Sequence, residues 1–201
     1  VRAGGFTVIG GASAGQTVAD NCLVREQLPE LATTTAGASS FGAGLAGSVV
    51  SPTSPYCHVA FGVRTQFRGL STYVIPKADV QLSATLQSKP GPMLVANYAA
   101  PNALAAASLG RNLSGTASNV TVNLIAPGSL YGQRINQLDV RAAKPLRLGR
   151  TRITLAVDLY NALNSSAVLT YNGTFVPGGP WLQPLTILTP RFIRLNAELD
   201  L

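Results

Sequence analysis

Four stretches of this sequence alternate apolar and polar residues, and a period of two is the pattern of a half-buried β-strand, not of a helix. In residues 80–87, Val80, Leu82, Ala84 and Leu86 oppose Gln81, Ser83, Thr85 and Gln87. In residues 137–143, Leu138, Val140 and Ala142 oppose Gln137, Asp139 and Arg141. In residues 152–160, Ile153, Leu155, Val157 and Leu159 oppose Arg152, Thr154, Ala156, Asp158 and Tyr160. In residues 193–201, Ile193, Leu195, Ala197, Leu199 and Leu201 oppose Arg194, Asn196, Glu198 and Asp200. Two weaker segments precede these. Residues 5–18 place Phe6, Val8, Ala12 and Val18 on one face, and residues 64–75 place Phe67, Tyr73 and Ile75 on one face.

The pattern predicts six strands of roughly 9–13 residues, where ordinary strands average about 5–6. Strands of about 9–11 residues match a tilted crossing of a bilayer. A soluble sandwich strand also alternates, so the connections have to discriminate. They run long, short, long, short, intermediate: roughly 45 residues, Pro76-Lys77-Ala78-Asp79, roughly 45 residues, a tight turn near Leu146-Arg147-Leu148-Gly149, and roughly 25 residues. Outer-membrane barrels have short periplasmic turns and long external loops. The expected fold is therefore all-β: an antiparallel up-and-down transmembrane barrel, of which residues 1–201 supply about the last six strands as an open, curved sheet. The chain starts Val1-Arg2-Ala3 and stops within a strand pattern, so we expect the C-terminal part of a longer protein, with plug and N-terminal strands elsewhere.

Composition agrees with a surface that does not face water alone. Charged residues are 11% and hydrophobic residues 46%, against a soluble norm of about 25% charged. No run reaches the 18 apolar residues of a spanning helix. Gly 20 and Pro 13 argue against a helical bundle. The net charge of +7 comes from scattered cations, twelve Arg and three Lys, without the single basic face of a nucleic-acid footprint.

Within the long connections, residues 93–99 and 119–125 read as a β-hairpin rising above the rim, 103–109 as a helical turn, and 32–54 as a mobile loop. Cys22 and Cys57 lie at the stems of that loop. They are compatible with one disulfide in an oxidising compartment, or with two free thiols in a reducing one.

Two catalytic motif matches lack their context. Gly11-Ala12-Ser13-Ala14-Gly15 fits a nucleophile elbow, but no helix pattern follows. Its only triad, Ser13, Asp20 and His58, leaves no room for an α/β sheet. Gly42-Ala43-Gly44-Leu45-Ala46-Gly47 fits a dinucleotide loop, but Ser51-Pro52-Thr53-Ser54-Pro55 follows it and no acid lies between Glu30 and Asp79. One His and two Cys do not make a zinc site. Four Asn-x-Ser/Thr matches, at Asn112, Asn119, Asn164 and Asn172, are somewhat more than chance gives but would matter only in a eukaryotic secretory protein, and in a Ser/Thr-rich chain chance is the leading explanation. No enzyme activity and no cofactor or metal is expected. The polar strand faces are more informative. Asp139, Arg141, Arg152, Asp158, Arg194 and Glu198 share one face of three neighbouring strands, where opposite charges can pair across strands and where a large barrel has its polar lumen.

Several stretches resemble a known family. Arg134-Ile-Asn-Gln-Leu-Asp-Val-Arg-Ala-Ala-Lys144 resembles the antepenultimate strand of TonB-dependent outer-membrane receptors. Asp158-Leu-Tyr-Asn-Ala-Leu-Asn164 is similar to their Asn-Leu-Phe-Asn-type signature on the penultimate strand. Trp181-Leu-Gln-Pro-Leu-Thr-Ile-Leu-Thr-Pro-Arg191 with the terminal strand resembles the Oar-like branch, in which a carboxypeptidase-regulatory-like domain precedes plug and barrel. Pro90-Gly91-Pro92, Ser114-Gly115 and Asn119-Val-Thr-Val-Asn-Leu124 are similar to it as well. The likeness covers residues 56–201 well and 1–55 loosely.

The resemblance implies a barrel of roughly 22 strands filled by an N-terminal plug, located in a bacterial outer membrane and taking up a bulky solute with energy from TonB. The implied partners are outer-membrane lipid, the chain's own plug and remaining strands, the TonB complex and the barrel-assembly machinery. Arg194, Leu199 and Leu201 fit that machinery's C-terminal signal. The chain departs from the family in ending on Leu199-Asp200-Leu201 where an aromatic residue is usual, and in Asn196 where Gly is usual. The rival readings are a passive porin-like channel and a secreted soluble β-domain for adhesion. The soluble rival requires Leu138, Val140, Ile153, Leu155, Val157, Leu195 and Leu199 to pack into a protein core. The membrane reading requires them to form an uncovered apolar band.

Overall fold

The six long segments lie side by side in one antiparallel sheet in the computed structural model, which describes residues 2–3, 5–20, 22–27, 57–149 and 151–200. In chain order the elements are β1 (Arg2–Ala3), β2 (Phe6–Gly15), β3 (Val18–Asp20), α1 (Cys22–Gln27), β4 (His58–Ala60), β5 (Arg64–Ile75) and β6 (Val80–Lys89). They continue with β7 (Asn97–Pro101), α2 (Asn102–Leu109), β8 (Asn119–Asn123), β9 (Ile135–Leu148) and β10 (Thr151–Tyr160). The last are β11 (Val168–Tyr171), β12 (Thr174–Phe175), β13 (Pro184–Ile187) and β14 (Phe192–Asp200). The main sheet has the order β1-β2-β5-β6-β9-β10-β14 and is open. No helix among the described residues is long and apolar enough to cross a membrane. The fold is all-β.

Apart from the two-residue β1, each strand of this sheet is 9 to 14 residues long, as the alternation predicts. The short turns, residues 76–79 and the one at Gly149, share one end of the sheet. Lys77 and Asp79 have φ of 71° and 51° in the first turn. Gly149, at φ +64°, takes the left-handed conformation of the second without a Cβ penalty. The chain leaves the sheet after Gly15, Lys89 and Tyr160 at the other, upper end, and re-enters it there at Arg64, Ile135 and Phe192. Pro145 interrupts the donors of β9, but β6 stops pairing at Ala143, so the proline sits where β9 has already lost that neighbour.

The register sorts the faces. One row across the sheet reads Thr7, Thr72, Ser83, Arg141, Asp158, Arg194. The adjacent row, on the opposite face, reads Val8, Ser71, Ala84, Val140, Leu159, Ile193. Burial runs against hydropathy along β10: Ala156 and Asp158 are each 4% exposed, while Leu155 and Val157 are each 46% exposed. Leu195 on β14 is 76% exposed. No second sheet or helix packs on the apolar face among the described residues; the main-sheet strands pack substantially only against their hydrogen-bonded neighbours. The band carries about four outward side chains per strand, roughly 20 Å along the chain direction. It is bounded above by Arg134, Ser88 and Asn136, with Ser88 Oγ donating to Asn136 Oδ1 at 2.6 Å. Towards its lower end Phe6 and Tyr73 pack edge to face at 6.3 Å.

The upper connections build small structures of their own. β7 and β8 pair as the expected hairpin, but over 97–101 and 119–123, narrower than the sequence pattern. The helix between them, α2, is a full eight residues and ends at Gly110 in the left-handed conformation. Two pairings were not legible in the sequence: β12 joins β7 in parallel, and β11 pairs with β13. The first strand also differs from expectation. It ends at Gly15 because its partner β5 begins at Arg64, opposite that glycine, and nothing remains to pair with beyond it. Val18 belongs instead to β3, which pairs with β4. There Ala19, Val59 and Phe61, with Met93 against them, make the small hydrophobic core of the head.

Cys22 and Cys57 are disulfide-bonded across 35 residues. Closing a loop of that length stabilises the fold by about 2–4 kcal/mol through the unfolded chain. Reduction is therefore expected to lower stability by that amount, read as a loss of thermal midpoint in calorimetry with and without a thiol reductant. The expected mobile loop 32–54, the Gly42–Gly47 glycines and Leu201 lie outside the described residues.

Candidate functional site

The charged face of β9, β10 and β14 is where the register concentrates chemistry. Asp158 stands directly opposite Arg141 on one neighbour and Arg194 on the other. Its side chain is 6% exposed, and those of the two arginines are 42% and 54% exposed. Arg141 Nη1 donates to Asp158 Oδ1 at 3.3 Å. Arg194 donates to Oδ2 through Nε at 3.3 Å and Nη2 at 3.2 Å. Asn196 Nδ2 also donates to Oδ2. Arg194 lies 5.1 Å over the Tyr160 ring, which stacks on Phe192 at 4.7 Å. A buried carboxylate is costly unless paired and fully hydrogen-bonded, and here both oxygens are occupied.

Asp139 does not join this ion pair. It sits higher on β9 and accepts from Gln137 Nε2 at 3.1 and 3.0 Å and from the Asn161 backbone N–H at 2.8 Å. Arg152 and Glu198 lie towards the lower end, opposite Asp200 and Thr154, and make no ion pair among the described residues. Of the six charged residues on this face, the fold brings three into direct contact. Leu199 faces the other way, 58% exposed on the apolar side.

Asn161 is a structural centre that residue spacing alone did not single out. It is 2% exposed and has φ of 49°. Its Nδ2 donates to the carbonyls of Ser165 at 2.9 Å and Thr189 at 2.8 Å, and its Oδ1 accepts from Ser165 N–H at 2.9 Å. Asn164 Oδ1 accepts from Arg191 N–H at 3.1 Å. The Tyr-Asn-Ala-Leu-Asn stretch thus ties the top of β10 to β9 and to the entry of β14. Asparagine suits both positions because its short amide bonds local backbone and tolerates positive φ. Two further Asn-x-Ser/Thr asparagines also take hydrogen bonds: Asn172 Oδ1 accepts from Thr174 N–H, and Asn112 Oδ1 from Asn102 Nδ2.

Beside the disulfide, Asp20 and His58 meet across β3 and β4, with Nδ1 donating to Oδ2 at 2.9 Å. Ser13 is remote from this pair in register, opposite Gln66 on β5. His58 first, and the Cys22 backbone N–H second, hold the Asp20 carboxyl below the usual carboxylate range. A carboxyl lowered on folding binds fewer protons in the folded state. Its contribution is complete above about pH 4 and is lost as pH falls through the lower, folded value. Acidification below about pH 4 is therefore expected to release this contact. The check is an NMR titration of the Asp20 carboxyl carbon, with Asp20→Asn removing the transition. Among the described residues no group of three or more His, Cys, Asp or Glu is placed to hold a metal.

These features define a class of protein: an antiparallel all-β sheet with a buried, ion-paired aspartate on its charged face, an uncovered apolar face and its long connections at one end. No family model, curated protein or solved structure matches the chain.

Proposed function

We propose that this chain is the C-terminal part of an outer-membrane β-barrel, with the apolar face against lipid, the Asp158 face lining the lumen and the long connections outside the cell. The observation that carries the reading is the inverted alternation along residues 155–158 of β10, where exposed Leu155 and Val157 alternate with buried Ala156 and Asp158. Water-soluble sheets bury the apolar side, and membrane barrels expose it to lipid and turn polar residues inwards. The open edges at β1–β2 and β14 call for further strands, because unpaired edges are not tolerated in hydrocarbon.

Within that class the family resemblance favours a TonB-dependent receptor that takes up or binds a bulky solute, over a passive porin. In the receptor the lumen wall meets the protein's own plug. The energy comes from the TonB complex, and the barrel-assembly machinery inserts the chain. The disulfide at the stem of an external loop fits the oxidising side of the inner membrane.

The test is fractionation and electrophoresis of the full chain. A receptor barrel is recovered in the outer membrane and migrates differently before and after boiling. A protein released in soluble form, with Leu155 and Leu195 protected from an apolar photolabel, would replace this reading with the soluble adhesion domain. Loss of solute uptake on deleting TonB separates the receptor from the porin.

A further inference from the structure

Where β5 and β6 leave the sheet at its upper end, the chain forms an open cavity of about 440 Å³. This volume is within the range of small-ligand sites. Among the described residues two arginines line it, Arg64 and Arg134, and no carboxylate does. Arg134 is locked in place: Nε donates to Ser88 Oγ at 2.7 Å, Nη2 to the Thr65 carbonyl at 2.8 Å and Nη1 to Thr65 Oγ1 at 3.3 Å. Its guanidinium also lies 5.5 Å from the Phe67 ring centroid. Among the described residues all its partners are neutral, so Arg134 lines the cavity without a counter-ion there.

Arg64 is held differently. Its guanidinium lies 5.1 Å over the Tyr131 ring, and one N–H, on Nη2, donates to the Gly91 carbonyl at 3.2 Å. A guanidinium carries five N–H donors, so most of its fork stays available while the ring and the carbonyl set its plane. The Tyr131 hydroxyl is buried without a hydrogen-bond partner among the described residues. At the rim Gly91 lies so close to the Gly132–Gln133 backbone that a Cβ there would clash with the Gln133 carbonyl oxygen.

The surrounding charge has the same sign. Arg68 and Lys89 lie on the same sheet face as Arg64 by register, on β5 and on neighbouring β6. Three of the described acids are engaged elsewhere, Asp20 with His58, Asp139 with Gln137 and Asn161, and Asp158 with its arginines.

We propose that this cavity binds the oxyanion group, carboxylate or phosphate, of a small solute, with the Arg64 fork as its direct ligand and Arg134 as fixed field. A planar fork with unspent donors matches either anion in bidentate geometry. The cavity lies on the side of the long connections, so the solute arrives from outside if the membrane reading holds. That side assignment rests on the receptor reading, and the binding itself does not.

Isothermal calorimetry on the purified full chain tests it, with succinate, inorganic phosphate and the neutral analogue succinamide as probes. Saturable binding of at least one anion is expected, with no binding of succinamide and an affinity that falls with added salt. Succinate alone, or phosphate alone, identifies which oxyanion the cavity takes. Arg64→Gln is expected to weaken binding about 10-fold or more and Arg64→Lys less, because lysine keeps the charge and loses the fork. Arg147→Gln, at the opposite end of β9, is expected to bind as the parent does. Tyr131→Leu, which removes the platform and leaves the charge, provides a second reading should Arg64→Gln fold poorly, and is expected to weaken binding severalfold. No saturable anion binding, equal binding of succinamide, or parent affinity in a folded Arg64→Gln or Tyr131→Leu chain overturns the proposal. Outer-membrane localisation is measured separately, so failure there leaves the binding result standing.

Discussion

Arginine at both Leu155 and Leu195 is expected to destabilise the full chain folded into a bilayer by about 4–8 kcal/mol, the sum of roughly 2–4 for each arginine near the membrane midplane. Both leucines lie near the middle of the apolar band, 46% and 76% exposed on adjacent strands. In water such exposed positions tolerate substitution within about 0.5 kcal/mol, because nothing packed is lost and the new charge stays hydrated. In hydrocarbon each guanidinium must snorkel or thin the bilayer, and two on neighbouring strands also repel each other. Denaturant titration of the chain folded into lipid vesicles measures the difference. A change near zero would remove the lipid-facing assignment and favour an aqueous surface.

Converting Arg141 and Arg194 together to glutamine is expected to cost about 3 kcal/mol, the low end of the range for stranding a buried charge, because both guanidiniums are half exposed and partly screened. The loss comes from Asp158, left 6% exposed and charged with Asn196 as its remaining donor. Adding Asp158→Asn to that pair is expected to restore most of the stability, since a neutral amide set has no charge to desolvate. Asp158→Asn in the parent background is destabilising for the converse reason: it leaves two facing guanidiniums without a counter-charge. Equilibrium unfolding of the four proteins closes a mutant cycle. Additive losses without rescue would show that the three charges act independently and that the row is only a polar wall.

The parts of the fold legible in the sequence were those set by near neighbours. Residues 80–87 and 152–160 announce strands because each alternate side chain reports the same face. Pro76–Asp79 and Gly149 announce turns because their backbones favour them. The partition of Asp139, Arg141, Arg152, Asp158, Arg194 and Glu198 to one face follows from parity alone. Which of them touch does not, because contact depends on register. Only the hydrogen-bonded ladder places Arg141 and Arg194 opposite Asp158 and leaves Arg152 and Glu198 apart.

The head was the least legible. The parallel β12–β7 pairing, the Asn161 centre and the Arg64–Arg134 cavity each join residues far apart in the chain, with no periodic signal to connect them. The end of β2 at Gly15 follows from where its partner begins, which no property of residues 5–18 encodes. By itself, then, the sequence determined an all-β chain of long strands with one apolar and one polar face and with its long connections at one end, because side-chain alternation and turn chemistry act within a few residues. Only the tertiary structure decided that Asp158 on the charged face is buried between two half-exposed arginines and that two further arginines share a cavity at the rim, because burial and pairing depend on strands brought together from across the chain.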